Sequence, residues 1–334
     1  MDVHIAATFY ALPPDIEAVD AILEREKARV EAALRPLGEG FRRKVMAGLG
    51  LQEVRVCNSV QPYDLALQAA EGALAEAALP ARDLDLIIDF STLPGDRSEY
   101  MSFAQRLAAD LGAETSLNFG FKVGGCGGLH LALKSAMGLM ATDDSLRSAL
   151  LVAGDSAPPG SRSLLPVTVQ GDAACAVVLR RGNRHGPLVL ATEVLTRGHL
   201  YEAMQISRDG GSGPLVIDVD SKLIEDAVMP VYYLNFHRLV HKVLDRASLK
   251  LEDIDHFIYS NVSRTDREGF IRALQLPADR VHPDRLRDLG HTFASDLVIN
   301  YTDLARQGSI HPGQTLLFAS AGIGFTWGVT LARA

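Results

Sequence analysis

A single cysteine set between glycine pairs, Gly124-Gly125-Cys126-Gly127-Gly128, is the first residue in this chain whose type and setting could do chemistry. It lies between the apolar run Phe119 to Val123 and a helix-like stretch from Leu129 to Met140. Glycines at such a turn let backbone approach a ligand closely. A helix N-terminus presents unpaired N–H groups and a positive dipole end, which favour a thiolate. Cys126 is therefore a candidate nucleophile, although the same glycines also suit a small, inert cysteine packed at a crossover. A second candidate is the most basic short run, Phe41-Arg42-Arg43-Lys44-Val45. Arg42, Arg43 and Lys44 suit either a solvated face or a contact for a phosphate group or an acidic carrier domain.

The composition narrows the classes open to the chain. Its 334 residues, 47% hydrophobic and 22% charged, bury a large core and suggest two domains or one large double domain. A net charge of −8 argues against a nucleic-acid-binding surface. Cys57, Cys126 and Cys175 are too few and too widely spaced for a disulfide framework or a zinc site, so no metal is expected and a reducing compartment fits. Met1 to Ile5 lacks a basic leader pattern, and no uncharged window is long enough to span a bilayer, so a cytoplasmic protein is expected.

The elements that must position Cys126 follow from periodicity. Residues 3 to 9, 51 to 56, 83 to 90, 115 to 123, 148 to 155 and 173 to 180 read as strands, several of them continuous apolar runs of the kind buried on both faces. Helical spacing is expected from Ile16 to about Arg35, Tyr63 to Ala78 and Ser102 to Leu111. Ser156 to Gln170, with three prolines, reads as a loop near the active face, and the Gly210-Gly211-Ser212-Gly213 cluster as a loop without phosphate-binding spacing. Beyond residue 185 come a strand at 188 to 193, helices over 222 to 249, a strand at 255 to 261 and a helix near 268 to 274. A strand, glycine turn and strand over 314 to 333 echo the pair at 148 to 155 and 173 to 180. This predicts a duplicated α/β unit, with an N-terminal half at residues 1–185 carrying the nucleophile and a C-terminal half at 186–334. Cys57 and Cys175 fall within or beside strands and are read as structural.

Four segments in this order resemble the thiolase-fold condensing enzymes, most closely the β-ketoacyl-acyl-carrier-protein synthase III branch. They are Gly124 to Gly128, Gly171-Asp172-Ala173-Ala174-Cys175-Ala176-Val177-Val178-Leu179, Leu289-Gly290-His291-Thr292, and Gly313-Gln314 onward through Gly322-Ile323-Gly324-Phe325-Thr326-Trp327-Gly328. The resemblance implies a five-layered αβαβα fold with two pseudo-duplicated halves, a homodimer, and Cys126 as the acylated nucleophile. It assigns the oxyanion hole to the backbone N–H groups of Cys126 and Ile323, and aligns Tyr100 with a residue that walls the acyl pocket across the dimer. Phe325 and Trp327 are left to the core.

The chain also departs from that family. Where the synthases carry the His of a His-Gln-Ala-Asn motif, this chain has Ser260, and His291 stands where they carry Asn. What remains is one Cys, one His, and Asp296 five residues further on, whose rival reading is a first-turn helix carboxylate. Thiol, imidazole base and orienting carboxylate form the logic of an acyl-transfer triad. This pattern looks like the synthase III homologues that move acyl groups to oxygen or nitrogen in natural-product pathways. The implied reaction passes an acyl group through Cys126 to a hydroxyl or amine acceptor, with no cofactor. The donor is acyl carrier protein or coenzyme A; the missing adenine-stacking tryptophan near residue 42 and the basic run favour the carrier. The alternatives are a carbon–carbon condensing enzyme and a silent synthase-like partner subunit.

Overall fold

The structure, a computed structural model, describes residues 2–93, 101–121, 125–182, 185–282 and 285–334. Tyr100 and Gly124 therefore lie outside the described residues.

The long apolar runs are the strands of one ten-stranded sheet. In chain order the first half holds β1 (Val3–Ala11), α1 (Pro62–Glu76), β2 (Leu86–Asp89), α2 (Ala104–Leu111), β3 (Leu117–Gly120), α3 (Gly128–Thr142), β4 (Ser148–Asp155) and β5 (Ala173–Arg181). The second half repeats it with β6 (Leu188–Thr196), α4 (Met229–Ala247), β7 (His256–Tyr259), α5 (Arg264–Leu274), β8 (Val281–His282), α6 (Asp296–Arg306), β9 (Thr315–Gly322) and β10 (Thr326–Arg333). The sheet order is β8-β7-β9-β10-β6-β1-β5-β4-β2-β3, so each half has the same internal order mirrored about the centre. In both halves the second strand pairs in parallel with the third and fourth, and the remaining pairs are antiparallel. The halves meet where His4 of β1 pairs with Leu188 of β6.

Helix placement turns this sheet into five layers. Helix α1 packs on β1, β4 and β5, and α4 on β6 and β10, covering the outer faces. Helices α3 and α6 each contact strands of both halves and fill the layer between them. A strand buried on both faces needs apolar residues at every position, which is why β4 and β9 read as continuous runs and are fully buried. This is the five-layered thiolase arrangement.

Two local expectations change. Ile16 does not begin a helix: Asp15–Ala18 pairs antiparallel with Glu53–Val56, and helix starts only at Val19. That strand depends on a partner far along the chain, which helical spacing cannot register. The helix also breaks between Arg25 and Lys27, where the buried Glu26 carboxylate turns away to accept from the N–H groups of Arg162 (3.2 Å) and Ser163 (2.9 Å). The glycines at 210 and 211 do lie in a loop, the connection between two short strands. They have positive φ and turn a hairpin between Met204–Arg208 and Leu215–Val219.

Candidate active site

Cys126 sits in a single 3-10 turn, Gly125–Gly127, that feeds α3. The glycine before it is demanded by space. Gly125 has φ +48°, and a Cβ there would lie 2.6 Å from the backbone nitrogen of Ile323. The cysteine turn and the β9–β10 turn are thus in backbone contact, and the Ser320 hydroxyl donates to the Cys126 carbonyl at 3.0 Å.

The histidine arrives from the other half on a loop fixed by its neighbours. Gly290 has φ +63°, a conformation that favours glycine, and Gly171 packs so closely that a Cβ would meet the Leu289 carbonyl at 2.2 Å. His291 N–H donates to Val169 O (3.2 Å) and Gly171 N–H to His291 O (3.0 Å), stitching this loop to the one before β5. That partner loop is itself anchored by Asp172, whose buried carboxylate takes both guanidinium nitrogens of Arg162 at 2.7 Å. It also accepts from the N–H groups of Cys57 (2.6 Å) and Ala157 (2.9 Å).

These constraints bring Cys126, His291 and Asp296 together. Cys126 Sγ lies 2.9 Å from His291 Nε2, and His291 Nδ1 lies 2.6 Å from Asp296 Oδ2. A carboxylate only accepts, so Nδ1–H donates to it and Nε2 is left to face the sulfur. Asp296 opens α6, as a first-turn carboxylate should, yet its oxygens turn back into the site. Oδ1 accepts from Thr292 N–H (2.8 Å) and Oγ1–H (2.7 Å), and Oδ2 also accepts from Asn261 N–H (2.6 Å). Phe293, between the histidine and the carboxylate, is held at φ +54°, a strained position for a non-glycine residue.

Burial alone would lower the His291 pKa, but Cys126 and Asp296 outweigh it and hold the imidazole well above its ordinary value. Burial pushes both Cys57 and Cys175 up to about 12, so they remain neutral thiols near pH 7.

Cys126 and His291 open into a cleft whose walls include Phe41, Leu164, Met204, Ile224, Tyr232 and Phe325. Ile224 and Val228 come from a π-helical segment, Ile224–Val228, that leads into α4. Phe325, expected to be core, lines this cleft, whereas Trp327 is fully buried. Ile323 also lines it, beside the cysteine turn. The basic run divides: Lys44 is exposed and lines the cleft, while Arg43 is exposed elsewhere. Arg42 donates to the carbonyls of Leu34 (2.6 Å), Leu37 (3.1 Å) and Arg35 (2.6 Å), so this guanidinium ties down a helix C-terminus. Tyr100 lies outside the described residues.

Ser260, where the synthases carry histidine, is buried and does not line the cleft. His291 is the only imidazole among the described lining residues. Three groups leave no signature in the sequence pattern. Asn261 acts through its backbone N–H, and Thr292 through its N–H as well as its hydroxyl, and no side-chain spacing announces a backbone donor. Asp266, in the first turn of α5, lines the cleft, and burial pushes its carboxyl up to about 6. No cluster of three or more His, Cys, Asp or Glu among the described residues is arranged to hold a metal, and no described helix is long and apolar enough to cross a membrane.

Known proteins share this architecture. Residues 244–334 match the family model described as 3-oxoacyl-[acyl-carrier-protein (ACP)] synthase III C terminal. The chain is 28% identical over 296 residues to a β-ketoacyl-[acyl-carrier-protein] synthase III of Pseudomonas aeruginosa, covering 85% of this chain and 86% of that one. Among solved structures, 3-oxoacyl-[acyl-carrier-protein] synthase III from Aquifex aeolicus VF5 superposes with a TM-score of 0.80 at 22% identity, over 99% of this chain and 100% of the other. ChlB3, described as an acyltransferase, superposes equally well, with a TM-score of 0.80 at 25% identity over 100% and 98% of the two chains.

Proposed function

We propose that this thiolase-fold chain, which is similar to synthase III proteins and to an acyltransferase, moves an acyl group from a carrier-protein or coenzyme A thioester, through acyl-Cys126, to a hydroxyl or amine acceptor. The observation that carries this reading is the Cys126–His291–Asp296 chain, with contacts of 2.9 and 2.6 Å, in a cleft with one imidazole among its described lining residues. Cys126 passes its proton to His291 Nε2, and the thiolate adds to the thioester carbonyl. The tetrahedral oxyanion rests against the N–H groups of Cys126 and Ile323. Collapse breaks the carbon–sulfur bond to the donor, whose thiolate leaves with the proton from His291. The acceptor then gives its proton to Nε2 and adds to the acyl-cysteine; a second collapse expels the Cys126 thiolate beside the imidazolium. Asp296 fixes the imidazole tautomer throughout. The steps balance without a cofactor. Lys44, exposed at the cleft, is the cation best placed to meet the donor's phosphate or an acidic carrier. The working unit is read as a homodimer acting in secondary metabolism.

The names of the relatives favour a second reading, carbon–carbon condensation. Condensation needs two polar groups to hold the enolate formed when a malonyl unit loses carbon dioxide, and the burial of Ser260 outside the cleft leaves His291 without its usual partner.

The experiment is intact mass after incubation with acyl thioesters on coenzyme A and on carrier protein. A gain of one acyl group that disappears in Cys126→Ala is expected, followed by discharge with alcohols and amines that His291→Ala abolishes. Formation of β-keto product from malonyl-carrier protein would replace the proposal with the condensing reading. No acylation by any donor would support a silent partner subunit.

A further inference from the structure

Buried polar atoms without partners are rare, because leaving one unpaired costs about as much as a lost hydrogen bond. Among the described residues that line the cleft, only Gln170 and Asp266 carry such an atom. Asp266 already receives the Tyr233 hydroxyl on its other oxygen at 3.2 Å. Gln170 is 1% exposed, and its Oε1 has no hydrogen-bond partner among the described residues. Its position is fixed from both sides: its N–H donates to Arg162 O at 2.9 Å, and it forms a parallel bridge with His291. Residues bridged in this way present their side chains on one face, and both Gln170 and His291 line the cleft. The surrounding wall is largely apolar, with Leu164 and Val167 from the same loop. An amide oxygen buried in the wall of the cleft that Cys126 and His291 line, with nothing from the described protein to satisfy it, is shaped to accept from a ligand.

We infer that Gln170 is a substrate-specificity residue that receives a hydroxyl or amine hydrogen carried by the substrate close to the reacting carbonyl. The inference rests on the acyl-transfer reading of Cys126 and His291 and names a substrate class for it: ligands with a hydrogen-bond donor near the point of transfer, in preference to plain alkyl ones. The donor group belongs either to the acyl chain or to the acceptor.

The test compares N-acetylcysteamine thioesters of butyrate, 2-hydroxybutyrate and 3-hydroxybutyrate, following acylation of Cys126 by intact mass. Butyryl-enzyme is then discharged with 1-propanol or 1,2-propanediol. Wild-type protein is expected to favour one hydroxylated member by about tenfold, the scale of one well-made hydrogen bond. Gln170→Met, of similar length, brings that ratio to about one, and Gln170→Glu, which still accepts, restores it. A preference confined to acylation assigns the donor to the acyl chain; one confined to discharge assigns it to the acceptor. Ratios near one in the wild type, or ratios that Gln170→Met leaves unchanged, overturn the inference even if rates fall, because a residue that only supports His291 slows all substrates alike. If no thioester acylates Cys126, the acyl-transfer reading fails. Calorimetry on Cys126→Ala with the same thioesters and alcohols still decides the role of Gln170: tighter binding of a hydroxylated member, lost on adding Gln170→Met, supports it, and equal binding refutes it.

Discussion

Replacing Asp296 by asparagine keeps its shape, removes its charge and leaves four hydrogen bonds that the new side chain cannot all accept. The carboxylate accepts from His291 Nδ1–H and Asn261 N–H on one oxygen, and from Thr292 N–H and Oγ1–H on the other. An asparagine must turn its NH₂ toward one of those pairs, so it meets a backbone N–H whichever way it is rotated. A buried donor facing a donor costs about 1–3 kcal/mol of stability. If the NH₂ faces His291, it also forces the proton onto Nε2, the nitrogen that must accept from Cys126 and from the acceptor. Loss of one partner from a buried ion pair costs roughly 3–5 kcal/mol, and at about 1.4 kcal/mol per tenfold a barrier raised by that amount means a slowing of about 10²- to 4 × 10³-fold. Both half-reactions should fall by that factor in single-turnover experiments followed by intact mass. The histidine titration is the independent readout. The folded-state value of His291 is raised, so the pair adds stability that is fully present below about 6.5 and is lost as pH rises through the folded value. In Asp296→Asn the His291 titration, followed by NMR, should move down toward or below that ordinary value. A folded Asp296→Asn protein within tenfold of wild type in both steps, or an unmoved His291 titration, would refute the triad.

Other perturbations separate positioning from packing. Gly125→Ala places a methyl 2.6 Å from Ile323 N in a φ +48° turn, so acylation should fall at least about 100-fold while global unfolding shifts by only about 1–2 kcal/mol. Asp266→Asn should stabilise the protein above pH 6. The wild-type carboxyl is raised from 3.8 to about 6, so its ionisation penalty grows as pH climbs through that window and is absent below it. The full shift corresponds to about 3 kcal/mol, which water in the open cleft cuts to roughly 1; urea midpoints at pH 4 and pH 8 check both sign and size. A loss of stability at pH 8 would instead make Asp266 a helix cap. Arg42→Ala should lower stability by about 1 kcal/mol through the three carbonyls it frees, with little change in donor KM, whereas Lys44→Ala should raise donor KM and leave the unfolding midpoint in place.

Which features are legible in the sequence depends on one physical quantity, the range over which the determining contact acts. Runs such as 148 to 155 and 315 to 322 announce themselves because a strand covered on both faces must be apolar throughout, and their recurrence with a glycine turn in the second half exposes the duplication. Cys126 is visible for another reason: the contacts that demand its glycines are distant, Gly125 against Ile323 and Gly128 against Phe90, yet the glycines themselves stand as a local mark beside it. The strand at 15 to 18 is not, because its only cause is a partner at 53 to 56. Arg42 misleads in the same way, since a charge that looks free in sequence is spent on carbonyls of the preceding helix. The orienting work of Asn261, and half of that of Thr292, is done by backbone N–H groups, which every residue but proline possesses. Gln170 leaves a trace that local reading can catch. A polar residue between Val169 and the Gly171-Asp172 turn, where apolar packing would be cheaper, is a local choice at odds with its burial, and such conflicts collect where a ligand completes the structure.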